Sequence, residues 1–121
     1  MTSKYVYDTY AIIEIIKGNN NYKAYLDSDI IINNFIFAEL CYILYREENI
    51  KTEQYLTEWK KYLVSVNPDS IKKAMQFRVQ NKRKNLSTTD CISYFLAQEW
   101  GISFLTGDKE FAKLQNVEFV K

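Results

Sequence analysis

The sequence predicts an α/β fold in which helices cover both faces of a mostly parallel sheet. Short β-branched or aromatic runs alternate along the chain with longer segments of helical hydrophobic periodicity, an order that favours parallel strands joined by helices. The composition, 47% hydrophobic and 26% charged, is that of a globular protein, and the 121 residues suffice for one domain over 1–121 with its own core.

The N-terminal half contains two predicted strands, each followed by helices. Its elements are a strand over 5–7, a helix that begins at Asp8-Thr9 and stops at Gly18, a short helix over 22–26, a strand over 30–32, a helix over 35–48 and a helix over 52–63. The run Ile30-Ile31-Ile32 is typical of a strand that is buried on both faces.

The C-terminal half continues the alternation. Its elements are a short edge strand over 64–66, a helix from Asn67-Pro68 to about Arg83, a helix opened by Ser87 to Asp90 and ended by Gly101, a strand over 102–105, a short helix over 109–114 and a last strand over 117–120. Proline at the first helical position and a glycine at the end support the two longer helices.

Histidine is absent from the chain. Its absence excludes Ser-His-Asp and Cys-His catalysis, and every zinc site that needs histidine. An enzyme with this sequence would therefore use carboxylates with metal ions, or Lys, Tyr or Cys. No apolar run approaches the ~20 residues of a membrane helix, and the N-terminus has no signal-peptide core, so we expect a cytoplasmic protein without membrane contact.

The net charge of +1 hides a strong asymmetry. Residues 51–84 hold nine Lys/Arg and three Asp/Glu, a balance of +6, whereas the other residues hold seven and twelve, a balance of −5. Such a distribution is typical of a polyanion-binding surface beside a cation-binding centre, although two solvated Lys-rich helices would give the same numbers.

Two acidic residues follow predicted strands directly. Asp8 comes after the first strand, and Asp108 comes after the strand over 102–105 with only Thr106-Gly107 between. Ligands of open α/β sheets bind beyond the carboxyl ends of the strands, so both side chains are expected at the ligand edge.

Two further acids lie on predicted helices. Glu39 is the only charged residue within 35–45, on a helix apolar nearly all round, so we expect it to be buried beside a cation or a Lys/Arg partner. Asp90 lies in the first turn of its helix, whose N-terminus faces the same edge. Each of Asp8, Asp90 and Asp108 could instead cap a helix, and Ser87 to Asp90 resembles a capping box.

Carboxylate oxygens are the ligands that Mg²⁺ and Mn²⁺ prefer. Four of them at one edge suit one or two such ions, which can create a hydroxide nucleophile and stabilise the leaving oxygen of a phosphodiester. This chemistry needs no histidine.

The sequence here resembles the PIN-domain ribonucleases, most closely the VapC-type toxins of toxin–antitoxin pairs. The segments that carry the resemblance are Tyr-Val-Tyr-Asp-Thr at 5–9, Asn-Phe-Ile-Phe-Ala-Glu-Leu-Cys-Tyr at 34–42, Leu-Ser-Thr-Thr-Asp-Cys at 86–91 and Gly-Ile-Ser-Phe-Leu-Thr-Gly-Asp-Lys-Glu-Phe at 101–111. They span nearly the whole chain, and the last is the most specific.

The resemblance implies a three-layer α/β/α sandwich and a Mg²⁺- or Mn²⁺-dependent endoribonuclease. It also implies a small antitoxin partner and a homodimer. The acids that it makes metal ligands are Asp8, Glu39, Asp90 and Asp108. By the same resemblance, Thr106 would orient a metal-bound water or Asp108, and Thr9 would lie near the metal, whereas Glu110 is expected to be a solvated residue.

Basic and aromatic residues extend the prediction to partners. Lys82-Arg83-Lys84 precedes the Asp90 helix and could contact RNA phosphates, or could be an ordinary solvated segment. In the resembled toxins, the region corresponding to helices 35–48 and 53–63 accepts an antitoxin segment. The aromatic residues available there are Tyr42, Tyr45, Tyr55, Trp59 and Tyr62. An aromatic groove there would suit a bound helix, whereas for any single one of these residues helix-to-helix packing is the favoured interpretation.

Three alternatives remain open at the level of sequence. The first is a PIN nuclease of RNA processing that has no antitoxin. The second is a receiver-type phosphoacceptor domain, which is disfavoured because only Asp8 follows the first strand and no Lys-Pro follows near the end. The third is an RNA-binding module without catalysis, which is disfavoured because all four acids are present.

Overall fold

The computed structural model describes residues 3–121. The elements, in chain order, are β1 (Lys4–Tyr7), α1 (Thr9–Ile16), the 3₁₀-helix α2 (Asn20–Asp27), β2 (Asp29–Ile31), α3 (Asn34–Arg46), α4 (Thr52–Trp59), the 3₁₀-helix α5 (Lys60–Tyr62), α6 (Pro68–Gln80), α7 (Thr88–Trp100), β3 (Ser103–Thr106) and β4 (Val117–Phe119). Met1 and Thr2 lie outside the described residues. They begin the N-terminal segment in which no signal-peptide core is predicted.

The strands form one parallel sheet in the order β2-β1-β3-β4. Val6 pairs with Ile31 on one side and with Phe104 on the other, so β1 and β3 are the central strands. Because the strands are parallel, the residues that follow Tyr7 and Leu105 emerge at the same edge. Helices α1 and α7 both pack against β1 and β3, and the α/β/α fold that the sequence predicts is confirmed.

The core lies around the two central strands. Val6, Phe104 and Leu105 are fully buried, as expected of strands covered by helices. Helix α7 buries more of its surface than the other helices, on both sides of its axis, because it packs on the sheet and on α6. It ends at Gly101, which adopts the left-handed conformation that favours glycine.

Several predicted boundaries are wrong. The edge strand over 64–66 is absent, because the chain pairs with the sheet only through one bridge between Ile32 and Leu63. The helix over 109–114 is a series of turns closed by three-residue hydrogen bonds such as that from Phe111 N–H to the Asp108 carbonyl. The helix predicted over 52–63 is α-helical only to Trp59, and α6 ends at Gln80 rather than near Arg83.

The expectation that helix α3 is buried all round is also wrong. It buries Ile36, Leu40 and Leu44 on one face, whereas Tyr42 and Tyr45 on the outer face are exposed. Within the described part of the chain, every helix is too short, or not apolar enough, to cross a membrane.

Candidate functional site

Asp8 lies at the end of β1, where the chain turns into α1. It is 2% exposed and its Oδ1 accepts a hydrogen bond of 2.7 Å from the Ala11 N–H, so it caps the helix as one alternative anticipated. Its second carboxylate oxygen, Oδ2, accepts a hydrogen bond from the Thr106 hydroxyl on β3. One oxygen of the Asp8 carboxylate therefore caps α1, and the other is bound by Thr106.

Thr106 joins the two central strands at this edge. Besides donating to Asp8, its Oγ1 accepts a hydrogen bond of 3.0 Å from the Asp108 N–H. The Asp108 carboxylate in turn accepts one of 2.9 Å from the Glu110 N–H, which closes the turn after β3. One buried hydroxyl thus fixes Asp8 and the backbone of Asp108 relative to each other.

Glu39 reaches the site from α3. Its Oε1 accepts a hydrogen bond of 2.6 Å from the hydroxyl of Thr9, the first residue of α1. The partner that the sequence left open, a cation or a Lys/Arg side chain, is therefore a threonine hydroxyl in this structure. The bond connects α1 and α3 directly beside Asp8.

Asp90 lies in the first turn of α7. The cap of that helix is Ser87, whose Oγ accepts a hydrogen bond of 3.0 Å from the Asp90 N–H. The Asp90 carboxylate lies near those of Asp108 and Glu39, and near the Ser87 hydroxyl. Its pKa is raised from 3.8 to about 7, chiefly by burial and then by the charges of Asp108 and Glu39, while the Ser87 hydroxyl opposes the rise.

The pKa of Asp8 is raised for the same reasons as that of Asp90. Its pKa is raised from 3.8 to about 8, chiefly by burial; the charges of Asp90 and Asp108 contribute to the rise, and the hydrogen bonds from Thr106 and the Ala11 N–H oppose it. All four predicted acids are therefore electrostatic neighbours at the carboxyl ends of β1 and β3. The site favours protonation, or a bound cation, over four free negative charges.

The donor set fits a hard divalent cation by its chemistry, because it consists of carboxylate and hydroxyl oxygens. As the side chains stand in residues 3–121, no three of the Cys, Asp or Glu groups are arranged closely enough to hold an ion. Both oxygens of Asp8 are engaged within the chain, by Ala11 and Thr106. The residues that would hold such an ion are Asp8, Glu39, Asp90 and Asp108.

The predicted basic residues divide into two groups. Lys82, Arg83 and Lys84 lie exposed in the turn after α6, and none of them takes part in an ion pair among the described residues. Arg78, one helical turn earlier, instead binds its own chain. Its Nε donates to the Leu86 carbonyl at 3.0 Å and its Nη1 to the Thr88 hydroxyl at 2.7 Å.

Of the five aromatic residues available on helices 35–48 and 53–63, three are buried or half-buried. Trp59 is buried and packs against Tyr7 and Tyr62, with ring centroids 6.0 and 5.5 Å apart, and only Tyr42 and Tyr45 of the set are exposed. A groove of about 480 Å³ lies between α1 and α3. Its walls are Thr9, Tyr10, Ile13, Glu39, Tyr42, Ile43, Arg46 and Glu47.

Two polar residues near the site were not predicted as part of it. Asn33 and Ser93 are fully buried and hydrogen-bond each other. The signal in the sequence is a serine three residues after Asp90, in the otherwise apolar stretch 91–97.

A family model for the PIN domain matches residues 5–117. The match covers most of the 121 residues and all four acids. The chain therefore belongs to the PIN-domain family, and the receiver-type alternative is wrong. No curated protein matches the chain.

Solved structures of toxin–antitoxin proteins share the fold. VapC20 of Mycobacterium tuberculosis, described as a sarcin-ricin loop cleaving toxin, superposes with a TM-score of 0.77 at 17% identity, covering 98% of this chain and 100% of that one. VapBC2 of Rickettsia felis, bound to a promoter DNA fragment, gives 0.76 at 17% identity, covering 98% and 99%. A toxin–antitoxin complex from Klebsiella pneumoniae gives 0.74 at 19% identity, covering 94% and 95%. At such identities the likeness shows the fold alone.

Proposed function

We propose that this chain is a Mg²⁺- or Mn²⁺-dependent endoribonuclease that acts in the cytoplasm as the toxin of a toxin–antitoxin pair. The observation that carries the proposal is the convergence of Asp8, Glu39, Asp90 and Asp108 at one sheet edge, in a chain that belongs to the PIN-domain family. The likeness of the fold to three toxin–antitoxin structures supports the toxin assignment.

The four acids are proposed as the metal ligands. When bound, a divalent ion would supply a hydroxide nucleophile and stabilise the leaving oxygen of an RNA phosphodiester. Two threonine hydroxyls of the chain hold the carboxylates in place for this chemistry. Thr106 holds one oxygen of Asp8 and the backbone of Asp108, and Thr9 holds Glu39. These hydroxyls keep the carboxylates oriented before the ion and the RNA arrive.

RNA is proposed to approach from the basic side of the site. The turn that carries Lys82, Arg83 and Lys84 leads within a few residues to the N-terminus of α7, where Asp90 lies. Their ammonium and guanidinium groups can neutralise phosphates on the way to the acids. Arg78 is assigned a different role, because its guanidinium already holds Leu86 and Thr88.

A small antitoxin is proposed to bind in the groove between α1 and α3. The groove has apolar walls from Ile13, Tyr42 and Ile43 and reaches Glu39 and Thr9 of the site. A segment with apolar side chains and one basic side chain directed at the carboxylates would complement it and would block access of RNA.

The homodimer is proposed on family resemblance alone, and static light scattering tests it.

The nuclease proposal is tested by RNA cleavage with purified protein. We expect cleavage in Mg²⁺ or Mn²⁺ that stops in excess EDTA and is lost in Asp8→Asn and Asp90→Asn. Asp69→Asn, which neutralises an exposed acid on α6, is the matched control and should cleave as the wild type does. Cleavage that persists undiminished in EDTA would overturn the metal mechanism.

The antitoxin proposal is tested by co-purification with the product of the adjacent small reading frame. Ile43→Glu, in the groove, should abolish the complex, whereas Ile50→Glu, at a residue that is 97% exposed and outside the groove, should leave it intact. Failure of any neighbour to bind would favour a PIN nuclease without antitoxin and would leave the nuclease proposal standing.

A further inference from the structure

A buried polar pair links the two helices that carry Glu39 and Asp90. The Asn33 side chain donates from Nδ2 to the Ser93 Oγ at 3.1 Å, and both residues are fully buried. The other end of the same amide, Oδ1, accepts a hydrogen bond of 3.0 Å from the Ile36 N–H and so caps α3. Each end of the Asn33 amide thus has a defined partner in the protein.

The pair joins the start of α3 to the first turns of α7. Asn33 follows β2 and precedes Glu39 by six residues along α3. Ser93 lies one turn beyond Asp90 on the same face of α7. The bond spans 60 residues of sequence, and it is a side-chain contact from the start of the Glu39 helix to the first turns of the Asp90 helix.

A buried hydrogen bond restricts the relative position of two helices more than a buried apolar contact does. Hydrophobic burial is non-directional, whereas an amide bonded at both ends specifies one distance and one direction. Leaving either group unpaired in the core is costly, so α3 and α7 have one favoured relative placement.

We propose that Asn33 and Ser93 are positioning residues that set the spacing between Glu39 and Asp90 and thereby the affinity of the site for a divalent cation. The inference rests on the proposed function, because it assumes that the two carboxylates share an ion. Neither residue contacts the carboxylates themselves, so their effect passes through the placement of α3 against α7.

Two variants separate the link from the helix cap. Ser93→Ala removes the acceptor of the link and leaves the Asn33 cap intact, while Asn33→Ser keeps a good capping oxygen but is too short to reach Ser93. Ser70→Ala is the matched control. Ser70 is also buried and also ties α7 to a neighbouring helix, through a 3.0 Å hydrogen bond to Glu99, at the opposite end of α7 from the acids.

The readout is Mn²⁺ affinity, measured by calorimetry on the folded protein, with melting temperature in EDTA as the measure of stability. We expect Ser93→Ala and Asn33→Ser each to weaken Mn²⁺ binding by about 10-fold, the size typical of residues that orient metal ligands. The double variant should be no weaker than the singles, because they break the same bond. Ser70→Ala should lower the melting temperature without changing the Mn²⁺ affinity.

Unchanged Mn²⁺ affinity in Ser93→Ala or Asn33→Ser, with a loss of melting temperature like that of Ser70→Ala, would overturn the inference and leave the nuclease proposal intact. A wild type that binds no Mn²⁺ would overturn the proposed function, and this inference with it. If Ser93→Ala does not fold, Asn33→Ser carries the same test.

Discussion

The hydroxyl of Thr106 donates a hydrogen bond to Oδ2 of Asp8, across the two central strands of the sheet. Both residues are buried, and the same hydroxyl oxygen accepts from the Asp108 N–H at 3.0 Å. A neutral donor that meets a buried carboxylate stabilises its charged form, so Thr106 opposes the rise in the pKa of Asp8 that burial causes.

Removing this hydroxyl should cost activity more than it costs packing. Thr106→Val has nearly the same shape but offers Asp8 no donor and Asp108 no acceptor, so we expect RNA cleavage to fall by about 10- to 100-fold. Thr106→Ser keeps the hydroxyl and should stay within about 3-fold of the wild type. Initial rates in Mn²⁺ measure both, and equal rates for the two variants would contradict the assignment.

The metal-free protein should lose stability as the pH rises. The pKa of Asp8 is about 8 and that of Asp90 about 7 in the folded chain, against an ordinary value of 3.8. The folded state therefore holds its protons more tightly than the unfolded state, and this stabilisation, complete below about pH 4, is lost as the pH rises towards about 8.

Melting curves in EDTA between pH 5 and pH 9 measure this loss. We expect the melting temperature of the wild type to fall by at least about 5 °C over that range, and that of Asp8→Asn to fall less, because the variant has no proton to lose at that position. The difference between the two curves isolates Asp8 from the other titrating groups. A difference that does not change with pH would show that the Asp8 pKa is not raised.

Asp90→Asn should distinguish a site residue from a helix cap. The structure assigns the cap of α7 to Ser87, so neutralising Asp90 removes like-charge repulsion without removing a cap. We expect its melting temperature in EDTA to equal or exceed that of the wild type. Added Mn²⁺ should stabilise the wild type by roughly RT ln(1 + [L]/Kd) and the variant much less.

Ser87→Ala is the control for that experiment, since it should lose about 1 kcal/mol in EDTA and keep its response to Mn²⁺. An Asp90→Asn variant that melts lower in EDTA, yet retains the full stabilisation by Mn²⁺, would remove Asp90 from the proposed site.

The exposed basic turn should govern RNA affinity and its dependence on salt. Lys82→Ala/Lys84→Ala should weaken RNA binding and reduce the slope of log K against log[salt], by up to about 0.7 for each phosphate that the protein no longer neutralises. Lys72→Ala/Lys73→Ala removes the same charge from the exposed face of α6 and is the matched control. Equal effects of the two pairs on the slope would indicate a general charge effect rather than direct binding of phosphates by the turn.

The features that could be predicted from the sequence are those that depend on residues close together along the chain. Asp8 and Asp108 could be placed at the sheet edge because each follows an apolar strand, and parallel strands deliver their ends to the same side. Glu39 was expected to be buried on a helix apolar nearly all round, but α3 has an exposed face and Glu39 is only half-buried. Its neighbour in the structure is Thr9, 30 residues away in the sequence.

The features that could not be predicted depend on contacts between residues that are far apart along the chain. Arg78 belongs by sequence to the basic stretch 51–84, but its guanidinium donates to the Leu86 carbonyl and the Thr88 hydroxyl of the segment that leads into α7. The strand expected over 64–66 has good β-branched residues, yet pairing ends at the single bridge between Leu63 and Ile32, with a last hydrogen bond from the Val64 N–H to the Ile32 carbonyl. Neither outcome is visible in a window of local sequence.

Gly107, between Thr106 and Asp108, leaves room for the ring of Tyr10. A Cβ at this position would lie 2.1 Å from Cε1 of Tyr10 and 2.5 Å from Cδ1, so the ring rests directly on the backbone of the loop that presents Asp108. Gly107→Ala must displace either the ring or the loop. The ring also has Tyr22 at 6.2 Å between centroids, which restricts its movement.

We therefore expect Gly107→Ala to lower the melting temperature and to reduce RNA cleavage by at least about 10-fold, because Tyr22 restricts the ring and the loop that carries a proposed ligand takes up part of the displacement. Tyr10→Ala removes the obstacle, so the double variant Tyr10→Ala/Gly107→Ala should cleave RNA as well as Tyr10→Ala alone, a coupling that a double-mutant cycle measures directly. Additive losses in the cycle would show that Gly107 is required for a reason other than the approach of Tyr10.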